Sequence, residues 1–153
     1  MSYTNREGRR ELLEATAEAA EAIGIALAAL GEAYELVDDD TADRLEQELF
    51  APVQAAYGRA KRSHAEFAAR HGLEALPFAA TPEPGAPSAG ASGYVEQAVE
   101  AVERADDILS ELQDSMLPVE VGDPELRAAL ADVRTRLGKV PGRAHELLRT
   151  LGR

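Results

Sequence analysis

Along residues 12–37 small and apolar side chains recur at helical spacing without a break. Leu12, Thr16, Ala19, Ile23, Ala26, Leu30, Ala33 and Val37 follow alternating steps of four and three, and Leu13, Ala20, Leu27 and Tyr34 run beside them. A stripe this wide predicts a long helix with a broad buried face, wider than the seam of a two-stranded coil. Between Ala22 and Gly31 the chain reads AIGIALAALG, apolar on every side. That waist needs cover all round.

The same reading sets the other elements. The first helix is expected from about Arg6 to Val37, and the run Asp38-Asp39-Asp40-Thr41 makes a tight turn and supplies a cap for a second helix. Leu45, Leu49, Val53, Ala56, Ala60 and Phe67 carry that helix to Gly72 as its C′ residue. Pro52 lies inside it, and because the apolar period continues across the proline, a kinked helix is predicted rather than two. Residues 76–93, LPFAATPEPGAPSAGASG, hold four prolines among Gly, Ala and Ser and read as a long flexible linker. A third helix resumes at about Tyr94, with Val95, Ala98, Val102, Ala105, Leu109, Leu112 and Met116 on its core face. The connection LPVEVGD follows, and its apolar residues are expected to plug a bundle end or to meet a partner. Asp123-Pro124-Glu125 is a helix start, and Leu126, Leu130, Val133, Leu137, Val140, Ala144, Leu147 and Leu151 keep register through Pro141, where a kink or brief break is expected.

The predicted fold is therefore all-α: a single domain over 1–153, a four-helix bundle of two antiparallel helical hairpins, about 6–72 and 94–152. Charge supports the pairing. No Lys or Arg occurs from Glu11 to Asp43, whereas Arg59, Lys61, Arg62 and Arg70 follow in the second helix; a hairpin sets Glu14, Glu18 and Glu21 beside them. The third helix is likewise acidic, and the fourth carries Arg127, Arg134, Arg136, Lys139, Arg143 and Arg149. Exposed pairs stabilise by only ~0–1 kcal/mol each, so their expected use is orientation.

Composition narrows the function. A formal net charge of −12 repels phosphate backbones and anionic membranes, and no nucleic-acid motif is present. With no Cys there is no thiolate metal site and no cysteine nucleophile. The opening MSYTNREGRRELLE lacks the apolar core of a secretory signal, and the waist is half the ~20 residues that span a bilayer, so a soluble cytoplasmic protein is expected.

Candidate chemistry rests on three histidines, His64, His71 and His145. Phe50, Tyr57, His64 and His71 are spaced by seven, which puts His64 at the core boundary near Thr16 and Glu18. A buried histidine beside carboxylates suits a metal or small-molecule site between helices or a general base. A hydrogen-bonded structural histidine is the plainer reading, and the paired Glu-x-x-His motifs of carboxylate-bridged metal bundles are missing. Asp38-Asp39-Asp40 with Asp43 lacks the calcium-loop pattern and is explained by capping. No phosphate loop, nucleophile elbow or zinc-protease motif occurs. No catalytic, cofactor-binding or metal-ligating residue is therefore assigned, and no cofactor is expected. The leading expectation is a non-enzymatic interaction or scaffold protein with a possible protein partner. Ile25 shares a stripe with Glu11, Glu18 and Glu32, so a second copy is expected to cover it, with Gly24 and Gly31 permitting close approach; the alternative is that the bundle or the linker segment Leu76–Phe78 folds over it.

Overall fold

The computed structural model describes the backbone of residues 2–151 and the side chains of residues 5–151. The described residues are helical or irregular, with no strand among them, and they form five helices rather than four. Helix α1 is Ser2–Tyr34; α2 covers 39–70; α3 is Ala91–Asp114; α4 is the short Leu117–Val121; α5 covers 124–151. The expected end of the second hairpin at residue 152 lies outside the described residues.

Helix α1 follows the predicted stripe. Leu12, Thr16, Ala19, Ile23, Ala26, Leu30 and Ala33 are all buried, as are Leu13 and Ala20. It stops at Tyr34, short of Val37, and Asp38 opens α2 by accepting the Thr41 backbone N–H at 2.8 Å. Within α2, residues Glu46–Phe50 form a π turn. The cause is Pro52, whose missing N–H leaves the Glu48 carbonyl four residues back without its helical donor. The Ala51 N–H reaches back to Glu46 instead, and Arg143 of α5 donates to the Glu48 carbonyl at 3.3 Å. Leu45, Leu49 and Val53 stay buried across the disturbance, and the helix runs on past Pro52 through the π turn rather than splitting in two. Gly72, at φ 65°, ends it in the left-handed C′ conformation, with the Leu73 N–H returning to the Ala68 carbonyl.

In α5, Asp123 caps Pro124–Gly138, and Pro141 breaks the helix at Lys139 before Val140–Leu151 continues. Leu137, Val140, Ala144 and Leu147 remain buried on one face across the break. The fifth helix is α4, read from sequence as a connection. Its Pro118 is buried, and Leu117 and Val121 pack on the core against Gly8 of α1, so part of it plugs that end of the molecule. Met116 departs from its predicted core position: α3 ends at Asp114, and Met116 sits exposed at φ 63° in the turn.

Helix α1 makes its most extensive contact with α3 rather than with its sequence neighbour α2. Both helices carry small residues, Ala19, Ala22, Ala26 and Ala29 on one and Ala98, Ala101 and Ala105 on the other, and small side chains let helix axes approach closely. Residues Ala51–Arg70 pack on Pro124–Gly138, and Val140–Leu151 packs on α3 and the π turn. The ion pairs follow these contacts. Arg59 meets Asp132 at 3.3 Å and Arg70 meets Asp123 and Glu125, so these two arginines of α2 turn to α5 instead of the acidic residues of α1. Glu18 is met by Arg104 of α3 at 3.6 Å. Among the described residues only Arg134 with Asp106, at 2.9 Å, joins the third and fourth predicted helices as their charge pattern implied.

Two helical glycines should respond oppositely to alanine. A Cβ on Gly31 would meet nothing within 4 Å, so Gly31→Ala should raise stability by up to about 1 kcal/mol. On Gly93 it would lie 2.4 Å from the Pro87 Cβ, so Gly93→Ala should lower stability despite better helix propensity. Urea midpoints of the two variants check the pair.

Candidate functional site

The segment expected to be a flexible linker is a strap laid across α1 and α2. Leu73, Leu76 and Phe78 are half-buried against the core, and Thr81 and the Tyr57 ring lie over Gly24. Pro82, Pro84 and Gly85 line one groove with Ile25, Gln97 and Arg104, and the Gln97 side-chain amide donates to the Gly85 carbonyl at 2.9 Å. Ile25 therefore has cover from its own chain, and the inference that a second copy must supply it loses its premise. Of the three residues assigned to a dimer face, Gly24 is buried, Ile25 is half-buried and only Gly31 has open space above it.

His64 holds the strap. It is fully buried, and its Nε2 accepts the Leu76 backbone N–H at 3.1 Å. An accepting Nε2 puts the ring proton on Nδ1, which then donates to the Thr16 hydroxyl oxygen at 2.9 Å. The Thr16 hydroxyl in turn donates to the Leu13 carbonyl at 3.0 Å. The ring also packs on Phe78, with centroids 5.2 Å apart, and Lys61 lies over the Phe78 and Tyr57 rings. One neutral imidazole thus ties α2 to α1 and to the strap, and no ring lone pair remains for a metal or for general-base work. Burial pushes its pKa down, opposed weakly by the Leu13 carbonyl. Thr16 is where the sequence placed it; Glu18 is exposed and turned to Arg104.

The second polar centre was not foreseen. Asp123 is 4 % exposed, and four donors converge on its carboxylate. Oδ1 accepts the Leu126 N–H at 2.9 Å and Arg70 Nη2 at 2.8 Å; Oδ2 accepts Arg70 Nε at 3.0 Å and His71 Nε2 at 2.8 Å. The Phe67 ring stacks on His71 at 4.5 Å. Burial pushes the Asp123 carboxyl up, but the bonds from Arg70, Leu126 and His71 outweigh it and the net shift is downward. The sequence marked Asp123 as a cap and placed His71 on the α2 stripe, yet no local pattern joined residues 52 apart. With every acceptor position used, the cluster closes the α2–α5 junction.

His145 stands apart from both, in an open groove on α3 and α5 with Glu96, Glu100 and Glu103. Among the described residues no group of three or more His, Asp or Glu side chains is placed to hold a metal ion. No helix among them is long and apolar enough to cross a membrane.

Two predictions follow from these centres. The unfolded chain takes up a proton at His64 near the ordinary value of 6.5, before the folded protein does. The stabilisation is complete above that value and is lost as pH falls from it toward the depressed folded pKa. The stability difference between wild type and His64→Gln, read from urea midpoints, should therefore shrink from pH 7.5 to pH 5.5; a constant difference would contradict the neutral ring. Asp123→Ala removes a cap and strands Arg70, and should cost roughly 2–4 kcal/mol in the same assay. Asp123→Asn keeps an acceptor for Leu126 and should cost less. Its pH signature lies lower: the lowered carboxyl pKa contributes stability above the ordinary aspartate value, lost as pH falls through the folded pKa.

Comparison of the chain with protein-family models, with curated proteins and with solved structures finds no match to any of them.

Proposed function

We propose that this chain is a non-enzymatic interaction protein, a bundle of two antiparallel helical hairpins that offers apolar side chains at its ends to other proteins. The observation that carries the reading is where the reactive and the apolar groups lie. Both ring nitrogens of His64, the Asp123 carboxylate and the His71 Nε2 are engaged within the fold. Among the described residues the large apolar side chains left exposed are Tyr34 and Leu36 at the α1–α2 turn, Met116 just before α4 and Val119 within it. Tyr34 and Leu36 lie two residues apart at one end, and an exposed apolar pair favours a partner surface there over single scattered exposure.

A homodimer through Gly24, Ile25 and Gly31 has less support than the ends of the molecule, because the strap lies over the first two. The competing small-molecule or metal site at His64 is disfavoured by the same hydrogen bonds that fill its ring.

A thermal-shift screen with zinc, iron(II), calcium, nucleotides and a small-metabolite panel tests the reading. A ligand at 100 times its Kd stabilises by about 2.7 kcal/mol, or roughly 5–10 °C in Tm for a domain of this size. The expected result is no shift with any of them; a reproducible rise with one would overturn the non-enzymatic reading and return attention to the His145 groove.

A further inference from the structure

We propose that the groove where the end of α1 meets the π turn of α2 docks a basic amphipathic helix from another protein. The inference rests on the interaction reading above and names its surface and partner. Gly31, Tyr34 and Phe50 line the groove, and Glu35 and Glu46 edge it. Above Gly31 there is open space, Tyr34 is 40 % exposed, and Leu36 follows it at 57 %. The groove holds about 230 Å³, below the roughly 300–1,000 Å³ of ordinary small-molecule pockets, which suits an inserted side chain rather than a cofactor. Its shape has a local cause: the π turn forced by Pro52 keeps Leu45, Leu49 and Val53 buried and leaves Phe50 half-exposed beside them.

Charge selects the occupant. From Gly31 to Phe50 the chain carries eight carboxylates, Glu32, Glu35, Asp38, Asp39, Asp40, Asp43, Glu46 and Glu48, against one cation, Arg44. Arg44 faces Glu48 at 3.9 Å, and the other seven carboxylate residues are exposed. An apolar floor edged by Glu35 and Glu46, within so acidic a segment, repels nucleic acid, anionic lipid and a second copy of this chain, which would bring the same charge. It complements a helix with leucine-type residues at positions i, i+3 or i+4 and Lys or Arg on either side, the helix-in-groove mode of recognition.

The probe is a synthetic peptide of about fourteen residues made of Leu and Lys, with Leu on one helical face. Its controls are the same peptide with Glu for Lys and a scrambled peptide of identical composition. Binding to the full chain is followed by fluorescence anisotropy. The patterned Lys peptide should bind at least tenfold more tightly than either control, and more weakly as salt rises from about 50 to about 500 mM. Gly31→Leu fills the groove and Tyr34→Ala removes a wall; each should weaken binding at least tenfold. Gly31→Leu should do so without lowering Tm, since leucine is the better helix former. Equal binding to Gly31→Leu, equal binding of the scrambled peptide, or no binding at all would overturn the proposal. Binding lost on Met116→Glu but kept in Gly31→Leu would overturn the groove and leave the interaction reading standing at the α4 end. Failure of that reading shows separately, as a metal- or metabolite-linked rise in Tm.

Discussion

Helix α1 is apolar around its whole circumference between Ala22 and Gly31, and a helix of that kind must be enclosed on every side. Two neighbouring helices leave one side open. The strap of residues 73–87 fills it, crossing Gly24 and Ile25 with Thr81 and the Pro82–Gly85 stretch. A segment of Pro, Gly, Ala and Ser buries little apolar area of its own, so it needs fixed points. His64 supplies one by taking the Leu76 N–H, Phe78 a second by packing on that ring, and Gln97 a third by holding the Gly85 carbonyl. The neutral, fully buried His64 thereby couples the α1–α2 contact to closure of the waist.

At the far end of α2 a charge does what a neutral ring does in the middle. Asp123 begins α5 and receives the end of α2 through Arg70 and His71, so one carboxylate both caps a helix and joins two. The two interruptions by proline are handled by similar economy. Pro52 strands the Glu48 carbonyl, and Arg143 from α5 takes it up; Pro141 breaks α5 at Lys139 but spares the buried face from Leu137 to Leu147.

Much of this was legible in the chain itself, because helical period, caps and breakers are local. The α1 core face, a cap within the run 38–41 and at Asp123, Gly72 as a stop, and continuity through Pro52 all follow from residues within a turn or two of each other. Thr16 opposite His64 followed from the stripe spacing once the turn near Asp38 was placed. What was not legible depends on distant elements. Period cannot say that α1 presses harder on α3 than on α2, nor that Arg59 and Arg70 turn to α5 instead of Glu14 and Glu21. Cover of the waist by Leu76–Phe78 stood only as the alternative to a second copy, because the segment's composition signals loop; the acceptor on His64 and the apolar waist make it settle, with Thr81 and Pro82–Gly85 reaching Gly24 and Ile25. Met116 fitted the α3 period but lies past a left-handed turn that no apolar pattern announces.

The proposed recognition role draws on the exposed Tyr34 and Leu36 and on the exposed carboxylates around the α1–α2 turn. That reading requires a rigid body behind the groove, and rigidity here depends on the strap closing the waist. The most direct measurement is hydrogen exchange of the Leu76 amide by NMR at pH 7.5, in wild type and in His64→Ala. A strap pinned by His64 predicts a Leu76 amide protected at least tenfold more than its exposed neighbour Ala75, with that protection lost in the variant while Leu30 and Ile23 of α1 stay slow. A Leu76 amide exchanging at the rate of a free chain in wild type would contradict the account.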